Sequence, residues 1–205
     1  MRRNLIKFTI TLLIGATIFG FSGCQPEITV TAPPDATIDL GESFDPMAGL
    51  IVEGAKEEDV VLLWNPTFNN NLVNEYVATY VVEGVSDQRS VFVRSNLLAG
   101  PYRVSDVVTG GGTFTYDVTV TQSGTAFNRI LINGFADFDI TVHADIVGNV
   151  ITIPLQTPTN WTATESVQGT GTYDGVNRRL TSFTYTIKHG NPLVTETGTA
   201  TYTKR

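Results

Sequence analysis

Thr113-Phe114-Thr115-Tyr116-Asp117-Val118-Thr119-Val120-Thr121-Gln122 alternates without a break, with Phe114, Tyr116, Val118 and Val120 on one parity and Thr113, Thr115, Asp117, Thr119 and Thr121 on the other. Successive side chains of a strand point to opposite faces, so this stretch predicts a strand with one face in a core and one in water. The last part of the chain repeats the pattern. There Thr195, Thr197, Thr199, Thr201 and Thr203 form a comb that keeps β-propensity high on a solvent face. Between and around these two, the segments 102–108, 127–132, 139–146, 150–155, 161–169 and 180–188 read as further strands. Gly148-Asn149 and Asp174-Gly175 mark tight turns between them. Eight strands at fairly even spacing predict an antiparallel β-barrel or sandwich over residues 97–205. Within it, Phe114, Tyr116, Phe183 and Tyr185 are expected to fill the core.

Upstream, 36–40, 47–53, 60–64, 75–83 and 88–95 are strand candidates, and no stretch of ten or more residues shows helical periodicity after the first segment. The chain reads as all-β. Segment 75–83 carries apolar residues on both parities and is expected to be a central strand covered on both faces. Composition shifts near Ser95-Asn96-Leu97. Residues 25–96 hold 12 acidic and 3 basic residues, whereas 97–205 hold 8 and 7 with 22 threonines. That boundary predicts two domains, 36–96 and 97–205.

The first segment differs from both. Arg2, Arg3 and Lys7 precede an apolar run, and Phe21-Ser22-Gly23 leads into Cys24, the single cysteine of the chain. This is the pattern of a signal peptide over 1–23 with lipidation of Cys24, because small residues before the cut suit the peptidase and the thiol takes the lipid. The run is short for a permanent span of about 20 residues. Several acyl chains on Cys24 make the membrane the expected partner, since one chain alone binds reversibly. Loss of the three basic residues leaves 10 Lys+Arg against 20 Asp+Glu, so the mature chain is repelled by an anionic leaflet. Residues 24–35, with Pro26, Pro33 and Pro34, are expected to be a linker outside any sheet.

Two resemblances extend this reading. Ile38-Asp39-Leu40-Gly41-Glu42-Ser43-Phe44-Asp45-Pro46, with Tyr76-Val77-Ala78-Thr79-Tyr80-Val81-Val82 and the strand ending in Val93, resembles the immunoglobulin-like modules of bacterial surface proteins. Gly148-Asn149-Val150-Ile151-Thr152-Ile153-Pro154-Leu155-Gln156, then Val167-Gln168-Gly169-Thr170-Gly171-Thr172-Tyr173-Asp174 and the strand from Leu180, resembles the calycin-like, or lipocalin-like, barrels of Bacteroidetes lipoproteins of unknown function. These imply a small immunoglobulin-like sandwich followed by an eight-stranded barrel, displayed on the cell surface beside glycan-uptake proteins. Gln25 after the cysteine implies, by likeness to bacterial lipoproteins, the outer membrane.

Residues that carry chemistry are few. Net charge is −7 with no basic run, so nucleic acid is excluded as an expected partner. One cysteine and the histidines His143 and His189 leave little for a metal site. Asp137 and Asp139 are spaced to share a strand face, and Asp117 and Asp145 lie on hydrophilic parities, the usual place of solvated carboxylates. His143 is expected on the wet side. Glu57-Glu58-Asp59 reads as a solvated loop without a calcium-ligand spacing, and Gly110-Gly111-Gly112 as a hairpin turn rather than a phosphate loop. Neither a catalytic set nor a cofactor motif is present in this reading. Trp64 and Trp161, each at a strand end beside a loop, are the candidate ligand-binding residues, and equally the plugs of a sandwich or barrel end. The expected function is a non-catalytic surface lipoprotein that binds a glycan or a neighbouring surface protein. A small apolar ligand carried inside the barrel and a purely structural spacer are the alternatives.

Overall fold

The computed structural model describes residues 27–205. The signal segment and Cys24 lie outside the described residues. Fourteen strands follow one another: β1 (Thr29–Thr31), β2 (Ala36–Asp39), β3 (Ile51–Glu53), β4 (Val61–Asn65), β5 (Asn74–Val82), β6 (Val85–Arg94), β7 (Gly100–Val108), β8 (Gly112–Gln122), β9 (Arg129–Asn133), β10 (Thr141–Val147), β11 (Val150–Gln156), β12 (Ser166–Asp174), β13 (Arg179–His189) and β14 (Val194–Lys204). Among the described residues, no helix is long and apolar enough to cross a membrane.

Strands β7 to β14 form a closed antiparallel barrel. Each pairs with the next in sequence, and β14 pairs with β7 from Gly198↔Val108 to Lys204↔Tyr102 to complete the ring. Closure removes every free edge, and the alternation of each strand sends one parity inward. Tyr102, Tyr116, Phe183, Tyr185 and Tyr202 are buried inside with a ring of valine and isoleucine, while the threonine comb of β14 faces water. Rings this large fit because small residues face them. A Cβ on Gly198 would lie 2.3 Å from the Tyr185 ring, and one on Gly171 would lie 2.5 Å from Phe183. Phe135, fully buried, stands edge-on to Phe183 and Tyr185 at 6.2 and 5.3 Å. The axis is therefore filled by side chains. This corrects the alternative of a small apolar ligand inside the barrel, since burying these rings already stabilises the fold by about 1.5–3 kcal/mol each and leaves them no reason to yield.

The first unit is a four-stranded sheet in the order β2-β6-β5-β4, with β2 parallel to β6, faced by a two-stranded ribbon of β1 and β3. Val30, Ala78, Tyr80 and Val82 form the core between them. The linker expectation for 24–35 is corrected here: Thr29–Thr31 pairs with Ile51–Glu53. Pro33-Pro34 follow this short strand instead of interrupting it, so no ladder hydrogen bond is lost. In β5 one parity, Tyr76, Ala78, Tyr80 and Val82, is buried, and the other is only half-buried, so the expected double covering holds for one face alone. Segment 161–169 is a strand only from Ser166, because Trp161 to Glu165 are folded into turns through Trp161 N–H to Pro158 and Glu165 N–H to Thr162.

The first unit closes one end of the barrel. Val73 and Gly148 form an isolated antiparallel bridge, and the Tyr173 phenol donates to the Gly148 carbonyl at 2.6 Å while accepting the Val73 N–H at 2.7 Å. Phe92 of β6 packs against Phe127 of the β8–β9 loop, ring centres 5.0 Å apart. Leu40, Val73, Tyr76 and Val91 belong to the same core cluster as Leu98, Tyr102 and Leu180. The boundary expected at residues 95–97 is thus a short helical turn, Asn96–Leu98, buried at Leu98 in a core that both units share.

Candidate functional site: the open mouth of the barrel

The turns after β7, β9, β11 and β13 gather at the other end, where strands β7, β8, β13 and β14 and the β9–β10 turn line a cleft of about 200 Å³. Its floor is Asp106, the inward residue of β7 that follows Tyr102 and Val104 on the apolar parity. Asp106 is 1% exposed. Its Oδ2 accepts two phenol hydrogen bonds, from Tyr185 at 2.6 Å and Tyr116 at 2.9 Å. Its Oδ1 is buried and has no partner among the described residues, and neither has the Tyr202 hydroxyl. Burial, reinforced by the nearby carboxylate, holds Tyr116, Tyr185 and Tyr202 well above the usual phenol range.

Phe114 and Phe138 are the apolar walls, and Asp137 and Glu196 stand at the rim. Phe114 is 47% exposed, which corrects its expected place in the core: it is the first side chain of the inward parity after the β7–β8 turn, where the barrel opens. Phe138 and Asp137 reach the mouth on the turn Phe135–Asp137. Gly134 enters this turn at φ 83°, and Ala136 and Asp137 are held at φ 55° and 61°, a region that side chains disfavour. Phe135, locked in the barrel axis, fixes the turn against that cost. His189 Nε2 lies 3.3 Å from Glu196 Oε1 without hydrogen-bond geometry.

Trp161 is here as well. It is half-buried and stands edge-on to Phe138 at 5.4 Å, with His189 6.4 Å away. It therefore braces the cleft wall from outside. Trp64 is elsewhere, stacked on Phe68 at 4.6 Å and beside Phe44 at 6.4 Å in the first unit. The two candidate tryptophans do not share a site. Their loops hold them by ordinary means: Glu165 accepts from the backbone of Thr162 and Gly190, which ties the β11–β12 and β13–β14 loops together.

The four aspartates singled out in the sequence also separate. Asp137 lies on the helical turn, not on a strand with Asp139, because Gly134 breaks β9 just before it. Asp117 pairs with Arg103 and Arg205, at 3.1 and 3.0 Å, and Asp145 with Arg129, at 2.6 Å. His143 faces outward, its backbone bridged by the Gln156 amide. Glu57-Glu58-Asp59 is an exposed turn where Lys56 meets Glu58 at 3.0 Å. Asp106, Phe138 and Glu196 were missed in the sequence, although a carboxylate between Val104 and Val108 on the apolar parity was a visible signal for the first.

No family model matches the chain, and no curated protein does. Among solved structures it is similar to the lipoprotein BT2262 from Bacteroides thetaiotaomicron, with 16% identity, a TM-score of 0.33, and coverage of 87% of this chain and 100% of that one.

Proposed function

We propose that this chain is a non-catalytic lipoprotein of the outer membrane, held through lipid on Cys24 and displayed at the cell surface, whose barrel mouth binds the end of a glycan. In this reading the first unit, immunoglobulin-like in plan, carries a calycin-like barrel and turns its mouth away from the anchored end of the chain. The observation that carries the reading is the position of the cleft. It opens at the barrel end opposite the one that the first unit closes. Carboxylates accept sugar hydroxyls, and aromatic faces such as Phe138 and Phe114 pack on the apolar faces of sugar rings, the mixture that a small polar ligand requires.

The test uses the whole chain in detergent with Trp64→Phe, so that fluorescence reports Trp161 alone, titrated with a panel of polysaccharides. A glycan that shifts the emission and raises the melting temperature supports the reading, provided that Phe138→Ala abolishes both effects. A panel without effect overturns it, and capture of a surface protein at an unaltered mouth replaces the glycan with that partner. Loss of acyl labelling in Cys24→Ser is expected, and an unacylated wild-type chain in the soluble periplasm contradicts the anchor.

A further inference from the structure

We infer that the group this cleft takes is a protonated amine on a small organic frame, an inference that rests on the mouth being the binding site. Three carboxylates, Asp106, Asp137 and Glu196, line about 200 Å³, and no lysine or arginine lines it among the described residues. Among the described residues, the basic group that pairs with one of them is the His189 imidazole, at Glu196. An anion is excluded by this charge.

The floor is more specific than the rim. Asp106 is 1% exposed, and both its hydrogen bonds fall on Oδ2. Oδ1 is left without a partner among the described residues. A buried carboxylate is costly unless it is paired and fully hydrogen-bonded, and neutral phenols supply hydrogen bonds without a countercharge. An ammonium group supplies both. A sugar hydroxyl supplies only a hydrogen bond. Phe114 and Phe138 add ring faces that attract a cation.

Size narrows the frame. At about 30 Å³ for each water, the cleft holds roughly seven waters' worth of ligand, which suits one amino-sugar ring or a short alkylamine. Within the glycan reading the source is an amino sugar with a free amine.

Calorimetric titration of the whole chain in detergent tests this with glucosamine and butylamine as ammonium probes, and N-acetylglucosamine, glucose and butanol as neutral ones. Both ammonium probes are expected to bind at least about tenfold more tightly than their neutral counterparts, and Asp106→Asn to remove that preference. Asp106 is buried, so Glu196→Gln and Asp137→Asn at the rim serve as variants that keep the fold. Each is expected to weaken ammonium binding several-fold at an unchanged melting temperature. Equal binding of charged and neutral probes, or no binding of either ammonium probe, overturns the inference. The two readings fail differently: neutral glycans that bind at the mouth keep the glycan site and sink the ammonium group, whereas butylamine without any sugar binding keeps the ammonium group and sinks the glycan.

Discussion

Tyr185 of β13 reaches past β14 to give its phenol hydrogen to Asp106 Oδ2 of β7, at 2.6 Å. The strand it crosses carries Gly198 at that level, and a Cβ there would lie 2.3 Å from the phenol oxygen. A missing side chain on one strand thus permits a hydrogen bond between its two neighbours.

Gly198→Ala is expected to push Tyr185 off Asp106 and to lower stability by about 1–3 kcal/mol, the usual cost of overpacking a core. Denaturant unfolding measures the loss. The same variant is expected to weaken the binding of any ligand in the cleft, and unchanged stability contradicts the tight fit of Tyr185 over Gly198.

All seven tyrosines of the chain, Tyr76, Tyr80, Tyr102, Tyr116, Tyr173, Tyr185 and Tyr202, are buried, and burial raises each above the ordinary value of 10.0. Tyr102 and Tyr173 are pushed up to about 12. The unfolded chain loses these protons near pH 10 and the folded chain does not, so stability is complete below that pH and falls above it. Tyr102, Tyr116, Tyr173, Tyr185 and Tyr202 each contribute about 1.4 kcal/mol of this loss by pH 11, and together these five reach about 7 kcal/mol, within the range of a typical domain's whole stability. Ultraviolet titration is therefore expected to show almost no tyrosinate at pH 10, then a cooperative rise that coincides with unfolding. A smooth titration centred on 10 contradicts the burial.

The two units are expected to unfold together. A Cβ on Gly175, in the β12–β13 turn, would lie 1.8 Å from the Asn71 carbonyl of the first unit. Gly175→Ala must open this contact, and Tyr173→Phe removes the phenol that joins Val73 to Gly148, a loss of about 1–3 kcal/mol. Each variant should lower one shared transition in calorimetry. Two separate transitions in the wild type contradict the shared core.

Asp87 accepts the Ala32 N–H at 2.8 Å and the Gln88 N–H at 2.9 Å, which holds its carboxyl below the usual value. A depressed carboxylate stabilises the fold above its unfolded value of about 3.9 and loses that effect as pH falls through the folded one. Asp87→Asn is thus expected to cost no more than about 1 kcal/mol at neutral pH, because the group is near the surface, and nothing in strong acid. Thermal melts of both chains across that range measure the convergence.

The barrel was legible because its outer face is uniform. Thr113, Thr115, Thr119 and the comb from Thr195 mark parity without ambiguity, and each strand meets its sequence neighbour, so order followed from succession. The ribbon of Thr29–Thr31 was hidden by the prolines around it. The cleft was hidden for another reason. Parity alone puts Asp106 on the face of Tyr102 and Val104, but only closure of β14 on β7 brings Tyr185 of β13 to its carboxylate beside Tyr116. Trp161 and Trp64 were chosen by the same signal, a position beside a loop, yet one packs on Phe138 at the barrel mouth and the other on Phe68 in the first unit. Local sequence marks a tryptophan near a strand end, but which end faces the open mouth is set by pairing far along the chain.

Binding at the mouth is tested most directly by mapping amide chemical shifts of the isotope-labelled chain in detergent during addition of chitosan oligosaccharides, which carry free amines. Shifts are expected at Asp106, Phe114, Phe138 and Glu196 and on the Trp161 indole, with the first unit and the outer threonine face unmoved. Shifts confined to the first unit around Trp64 or to the threonine comb, or none at any concentration, would contradict binding at the mouth.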